Sequence, residues 1–130
     1  QPMEARGLAL EQEIQPGVVV KADPAQMEQL FSILLDNAVK YSVEGGTIRF
    51  SLVKEDRRAC LTVENTCESL PQVPPEKLFD RFYRGDAART QKSGGYGIGL
   101  AVAASIAAAN KGSLQARYLP ENRISFTAYL

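Results

Sequence analysis

The chain has 130 residues, 45% of them hydrophobic and 23% charged, with fifteen basic residues matched by fifteen acidic ones. That length suits one packed domain, and zero formal charge leaves no overall field to gather nucleic acid or an anionic membrane. No apolar run reaches the roughly 20 residues of a membrane span, and Gln1-Pro2-Met3-Glu4-Ala5-Arg6-Gly7 lacks a signal-peptide pattern, so the chain reads as soluble and as a piece of something larger. Leu8 to Ile14 alternates apolar and polar with one slip, Pro16-Gly17 turns the chain, and Val18 to Ala22 follows, a pattern that predicts two short strands. Asp23-Pro24 is a helix start: Asp suits the N-cap, and Pro suits the first helical position, where its missing N–H costs nothing. The helix is expected to run to Tyr41 or Ser42. Met27, Leu30, Phe31, Ile33, Leu34, Leu35, Ala38 and Val39 wrap more than one face, which predicts a buried helix packed on a sheet.

Ile33, Asn37 and Tyr41 recur at i, i+4 and i+8 with Lys40 adjoining, so one stripe carries an amide and a ring beside an ammonium. The amide reads in two ways. It is a core amide satisfied locally or a second cap, or it offers its oxygen to a hard cation that bridges phosphates.

Gly45-Gly46 turns the chain, and Thr47 to Val53 sets Ile48, Phe50 and Leu52 against Arg49 and Ser51, a one-sided strand. Glu55-Asp56-Arg57-Arg58 reads as a solvated hairpin loop. On the return strand, Ala59 to Asn65, an inward Leu61 and Val63 would carry Asn65 inward too, either to read a ligand or to begin an Asx turn. Cys60 lies in this strand and Cys67 in the loop after it. Their separation and the absence of any histidine exclude the usual zinc spacings and Ser/His or Cys/His nucleophilic pairs, and reduced thiols are expected. Pro71, Pro74 and Pro75 break regular structure before a short helix over Glu76 to Phe82, with Leu78, Phe79 and Phe82 as its apolar face.

From Arg81 to Lys92, Arg81, Arg84, Arg89 and Lys92 face a single Asp86 without hydrophobic periodicity. Such a segment is a solvated loop or a basic flap suited to closing over a polyphosphate. Gly94-Gly95-Tyr96-Gly97-Ile98-Gly99-Leu100 follows. Its alternate glycines suit a hinge before a helix, or a backbone whose N–H groups converge on an anion at that helix's N-terminus. Neither the P-loop nor the dinucleotide glycine spacing is present. Ile98 to Asn110 reads as a helix of small residues stopped by Lys111-Gly112. Ser113 to Tyr118 and Arg123 to Leu130 read as strands joined by Leu119-Pro120-Glu121-Asn122. The order predicts a single domain over residues 1–130: a two-layer α/β sandwich with a mixed, mostly antiparallel sheet and helices on one face.

Three segments, in order, resemble a known family. Leu34-Leu35-Asp36-Asn37-Ala38-Val39-Lys40-Tyr41-Ser42 resembles its N box, Leu78-Phe79-Asp80-Arg81-Phe82-Tyr83-Arg84-Gly85-Asp86 its F box, and Gly94 to Val102 its G2 box. The family is the catalytic, ATP-binding domain of two-component sensor histidine kinases, which shares the Bergerat fold with chaperone and gyrase ATPases. The resemblance implies ATP and Mg2+ as ligands, Asn37 as the metal-holding and catalytic amide, and Lys40 and Tyr41 lining the nucleotide. It implies Arg84, joined by Arg81, at the terminal phosphate. It further implies that Leu70, Tyr96 and Ile98 line the pocket, that Gly95, Gly97 and Gly99 let the lid fold over the triphosphate with Leu100 packed behind, and that Ser125 is the small hydroxyl of the last strand. Asn65 stands where the family has an aspartate that accepts from the adenine amino group, and Cys67 and Ser69 stand where it has glycines, which implies altered or weaker nucleotide affinity.

Histidine kinases phosphorylate a histidine on a separate dimerisation domain, and this chain has no histidine. The resemblance therefore implies a His-bearing domain of the same parent protein as phosphoacceptor and a response regulator downstream. It implies no nucleic-acid partner, a monomeric domain, and a cytoplasmic location whether or not the parent is anchored in a membrane. The superfamily's hydrolysing members place a glutamate four residues before the metal-holding Asn; here that residue is Ile33, and Asp36 points about 100 degrees away around the helix. Two alternatives share the fold: a degenerate docking module that has lost ATP, and a serine kinase of the anti-sigma type.

Overall fold

A computed structural model describes residues 7–80 and 97–130. Its elements are β1 (Ala9–Ile14), α1 (Pro24–Tyr41), β2 (Thr47–Glu55), β3 (Arg58–Thr66), a 3-10 helix (Pro75–Phe79), α2 (Gly97–Ala109), β4 (Ser113–Leu119) and β5 (Arg123–Tyr129). The sheet runs β1-β2-β3-β5-β4, with β1 parallel to β2 and the other pairs antiparallel.

Period-two alternation and the register decide which face is apolar. Phe50 opposes Val63, Val63 opposes Phe126, and Phe126 opposes Ala116; one step along, Ile48 opposes Asn65, Asn65 opposes Ile124, and Ile124 opposes Tyr118. The helices cover that face. Leu30, Leu34 and Ala38, at i, i+4 and i+8 of α1, are essentially fully buried there with Ile48, Val63, Ile124 and Phe126. Fully burying such a leucine contributes about 1.5–3 kcal/mol, so this stripe fixes the rotation of α1. Met27, Ile33, Leu35 and Val39 flank it as partly buried residues packed against the core, so the apolar surface covers more than one face of the helix, as expected. The opposite face is polar and ion-paired, with Arg49 to Glu11 and Arg123 to Glu64 each at 2.9 Å.

Asp23 caps α1 as expected, accepting from the Ala25 amide at 2.9 Å with Pro24 behind it. Val18 to Ala22 is not a strand. Valine's strand preference depends on a sheet surface to pack on, and here Val19 is 83% exposed. The ladder ends instead at Gln15, whose N–H donates to the Leu52 carbonyl and whose Oε1 accepts from the Lys54 amide, both at 2.8 Å. The short helix before the basic segment is a 3-10 turn closing at Phe79, with the Asp80 amide donating to the Lys77 carbonyl at 3.1 Å. Phe82, expected on its apolar face, lies outside the described residues. Leu78 is fully buried, and Phe79 meets Phe126 edge to face at 6.1 Å.

Asn110 joins the two helices. Its Oδ1 accepts from the Asp23 amide at 3.1 Å, while its Nδ2 donates at 2.8 Å to both Gln26 Oε1 and the Ile106 carbonyl. One side chain thus satisfies the start of α1 and the end of α2, and sets the helices antiparallel. Beyond it, α2 closes as a Schellman motif: the Gly112 amide donates to the Ala107 carbonyl at 2.8 Å and the Lys111 amide to the Ala108 carbonyl at 3.0 Å. The left-handed residue is Lys111, at φ 66, and not the glycine. Gly112 is required for another reason, since a Cβ there would lie 2.2 Å from the Tyr129 carbonyl oxygen.

In urea unfolding, Gly112→Ala is expected to cost more than about 2 kcal/mol, while Lys111→Gly gains up to about 1 kcal/mol by relieving a left-handed non-glycine. Cys60 and Cys67 are both buried, and burial pushes both thiols above their ordinary 9.0. Their contribution to stability is therefore complete below that ordinary value, which the unfolded thiols keep. It is lost as pH rises past that value, because the unfolded chain ionises first. Unfolding free energy measured from pH 7 to 10.5 should fall on the alkaline side, and less steeply in Cys67→Ala.

Candidate functional site

With Leu30, Leu34 and Ala38 turned to the sheet, the stripe Ile33, Asn37 and Tyr41 lies about 100 degrees around α1 and is half-buried. The N-terminal end of α2 packs on that stripe: a Cβ built on Gly99 would lie 3.7 Å from Ile33 Cγ2. Because Asn110 holds the other end of α2 to the first turn of α1, the α2 N-terminus is directed toward the Asn37 half of α1. The positive end of the helix dipole and the first amides, which have no intrahelical acceptor, lie there. Gly97 opens that helix, Ile98 follows, and Leu100 is 1% exposed and joins the core. Arg81, Arg84, Gly95 and Tyr96 lie outside the described residues.

At its C-terminal end α1 is stitched to the end of β3. The buried Ser42 hydroxyl donates to the Ala38 carbonyl at 2.6 Å, and the Val43 amide donates to the Thr66 carbonyl at 2.8 Å. Lys40 is exposed and its Nζ stands 5.6 Å from the centroid of the half-buried Tyr41 ring. Across from this end, β3 carries Asn65 inward as the alternation requires. It is 1% exposed, between Ile48 and Ile124, both fully buried.

Both amides are left incomplete. Asn37 Nδ2 and Asn65 Nδ2 are buried side-chain donors without a hydrogen-bond partner. A buried donor left unsatisfied costs about 1–3 kcal/mol, and native folds keep few of them. Each is a position where a polar ligand would supply the missing acceptor. No group of three His, Cys, Asp or Glu side chains suited to a metal converges among the described residues. A divalent ion held by an asparagine oxygen here would draw its other ligands from a bound anion and water.

The segment after Asn65 is anchored to the β4–β5 turn. The Cys67 amide and thiol both donate to the Asn122 carbonyl, at 2.8 and 3.2 Å, and Asn122 Nδ2 donates to the Glu68 carbonyl at 3.3 Å. Asn122 makes this possible by standing at φ 57, whereas neither Cys67 nor Ser69 adopts a positive φ. Replacing glycines there therefore imposes no left-handed strain. Leu70 is half-buried against the core, and the Tyr118 hydroxyl donates to the Val73 carbonyl at 2.8 Å.

Ser125 is not brought to this place. It alternates with Ile124 and Phe126, so it lies on the polar face of the sheet, opposite Glu64 and Arg117. The inward neighbour of Asn65 on β5 is Ile124. Sequence reasoning also missed Asn110 and Asn122. Asn122 had a signal, an asparagine in a turn that needs positive φ; Asn110 pairs with Gln26 across 84 positions, which no local pattern reveals.

Comparison with known proteins bears on the family and the fold. The family described as histidine kinase-, DNA gyrase B-, and HSP90-like ATPase matches residues 22–130. The chain is 33% identical over 126 residues to the signal transduction histidine-protein kinase BaeS of Escherichia coli (strain K12), covering 97% of this chain and 27% of that protein. It is 42% identical over 95 residues to the sensor protein CiaH of Streptococcus pneumoniae serotype 4, covering 73% of this chain and 21% of that one. The chain thus spans only about a quarter of these relatives' length. In fold it is similar to the nucleotide-free catalytic domain of histidine kinase ThkA, with a TM-score of 0.81 at 21% identity over 98% of this chain and 82% of that one. No described helix is long and apolar enough to cross a membrane. A profile matched from residue 22 to the last residue, over a sheet and helix pair of the same architecture, places the chain in the histidine kinase-, DNA gyrase B-, and HSP90-like ATPase family.

Proposed function

We propose that this chain is the ATP-binding catalytic domain of a sensor histidine kinase, donating a phosphoryl group to a histidine on a dimerisation domain of its parent protein, with a response regulator downstream. The observation that supports the proposal is the pair of buried donors without a partner, Asn37 Nδ2 on the α1 stripe that meets the N-terminal end of α2 and Asn65 Nδ2 on the helix side of β3. Bound Mg-ATP supplies the transferable phosphoryl group and the metal's charge neutralisation. Asn37 presents its amide oxygen to the metal, since the two ends of an asparagine amide exchange by a half-turn. Asn65 reads the edge of the base, with Leu70 and the Tyr41 ring as apolar walls. Lys40, one residue from Tyr41, directs its ammonium toward the phosphates.

The amides of Gly97 and Gly99 at the start of α2 offer donors and a positive dipole end to the phosphate oxygens. Arg84, with Arg81, would meet the charge that develops at the terminal phosphate; Gly95, Gly97 and Gly99 would let the segment fold over the triphosphate, with Tyr96 and Ile98 lining the nucleotide. Ile33 precedes Asn37 by one turn and packs beside Gly99, so no carboxylate is placed there to activate water. Transfer to a protein acceptor is favoured over hydrolysis. The role implied for Ser125 is not part of this proposal, because that side chain lies on the other face of the sheet.

Thermal unfolding with Mg2+ and a non-hydrolysable ATP analogue tests the binding. At 100-fold excess over Kd the expected stabilisation is about 2.7 kcal/mol, a Tm rise of about 10 °C; no shift at millimolar nucleotide rejects the proposal. Asn37→Ala should remove the magnesium-dependent part of that rise. Supplying the dimerisation domain with labelled ATP should yield acid-labile phosphohistidine, whereas label on a serine would point to an anti-sigma type of kinase. Without nucleotide, Asn65→Leu is expected to raise stability by about 1–2 kcal/mol in urea, because it removes an unsatisfied donor. The same variant should lose nucleotide binding.

A further inference from the structure

We infer that Asn65 relaxes the choice of base, so that the site accepts purine nucleoside triphosphates carrying either a 6-amino or a 6-oxo group. The inference rests on the proposal that the end of β3 faces the base. The neighbours of Asn65 across the sheet offer its amide no polar contact. Its neighbours on the same face, Ile48 and Ile124, are apolar and fully buried, and Nδ2 has no partner. The polar groups that follow it along the chain are already engaged, the Thr66 carbonyl with the Val43 amide and the Cys67 amide and thiol with the Asn122 carbonyl.

An asparagine amide sets an acceptor and a donor side by side, and its terminal torsion is broad and nearly two-fold. A 6-aminopurine presents an exocyclic N–H next to the N1 acceptor. The amide matches that edge with its oxygen on the amine and its nitrogen on N1. A 6-oxopurine presents the reverse, an oxygen next to N1–H, and a half-turn of the amide matches it equally well. A carboxylate at this position can only accept, so opposite a 6-oxo group it would set oxygen against oxygen in a dry site. Compared with the aspartate that the resemblance implies at this position, Asn65 thus acts on selectivity more than on affinity: the 6-amino and 6-oxo edges become alternatives that the same side chain can pair.

The test compares ATP, ITP and GTP, each with Mg2+, by competition against a fluorescent nucleotide on the unmodified chain and on Asn65→Asp. ITP differs from ATP only in the hydrogen bonding of the six-membered ring's edge, and GTP adds a 2-amino group. On the unmodified chain ITP is expected to bind within about tenfold of ATP, and Asn65→Asp should widen that ratio to about 100-fold by weakening ITP while keeping ATP, as sites with a mispaired buried polar group do. GTP binding weakly where ITP binds well would still support the inference and locate an obstruction at the 2-amino group. ATP binding with ITP about 100-fold weaker on the unmodified chain overturns the inference and leaves the proposed function standing. Failure of all three nucleotides to bind overturns the proposed function itself.

Discussion

The apolar stripe of α1 sets the geometry on which everything else rests. Leu30, Leu34 and Ala38 occupy one line of the helix and seat it on Ile48, Val63, Ile124 and Phe126. With that line fixed, the helix has no freedom of rotation, and Asn37 and Tyr41 are delivered to the flank where α2 begins. The sheet imposes the matching constraint from below. If Val63 and Phe126 face the helices, Asn65 must face them too, because side chains alternate.

The two amides therefore occupy places that the hydrophobic core dictates, yet neither is served by it. A fold selected for stability alone would fill such positions with leucine or isoleucine, as it does at Ile124 and Ile48. The domain instead keeps polar groups that are costly without a ligand, and it spends core stability on them. The same balance explains the order elsewhere: the Asn110 clamp, the Ser42 cap and the Cys67 to Asn122 link all hold backbone around the site without entering it. Rigid surroundings let a small number of donors and acceptors be placed before a ligand arrives.

Much of this was legible in the sequence because local chemistry and tertiary packing agree. Asp23-Pro24 starts a helix by its own capping, and the alternation in β2 and β3 announces its buried face without help from the rest of the chain. Misreadings occur where the outcome depends on a distant partner. Val18 to Ala22 has strand-forming side chains but no strand beside it. The Glu76 to Phe82 segment has helical spacing, but it forms a 3-10 turn that closes at Phe79, where Leu78 and Phe79 pack into the core. Ser125 was assigned by its place in a run of residues, whereas its face is decided by the parity of Ile124 and Phe126. For the site, the sequence order of Asn37, Asn65 and Gly97 to Leu100 was readable. That both amides would lack partners was not, since it depends on what every neighbour is already bonded to.

The end of α2 carries a consequence for how sequences of this kind can diverge. Two adjacent positions there obey different laws. Position 111 demands only a residue able to stand at positive φ, so drift through lysine, asparagine or glycine leaves the turn intact. Position 112 is closed by an oxygen atom of the last strand, and every side chain, however small, collides with it. An aligned set of homologues would show the second column frozen and the first one wandering, although a reader guided by backbone angles alone would assign the invariance to the wrong residue.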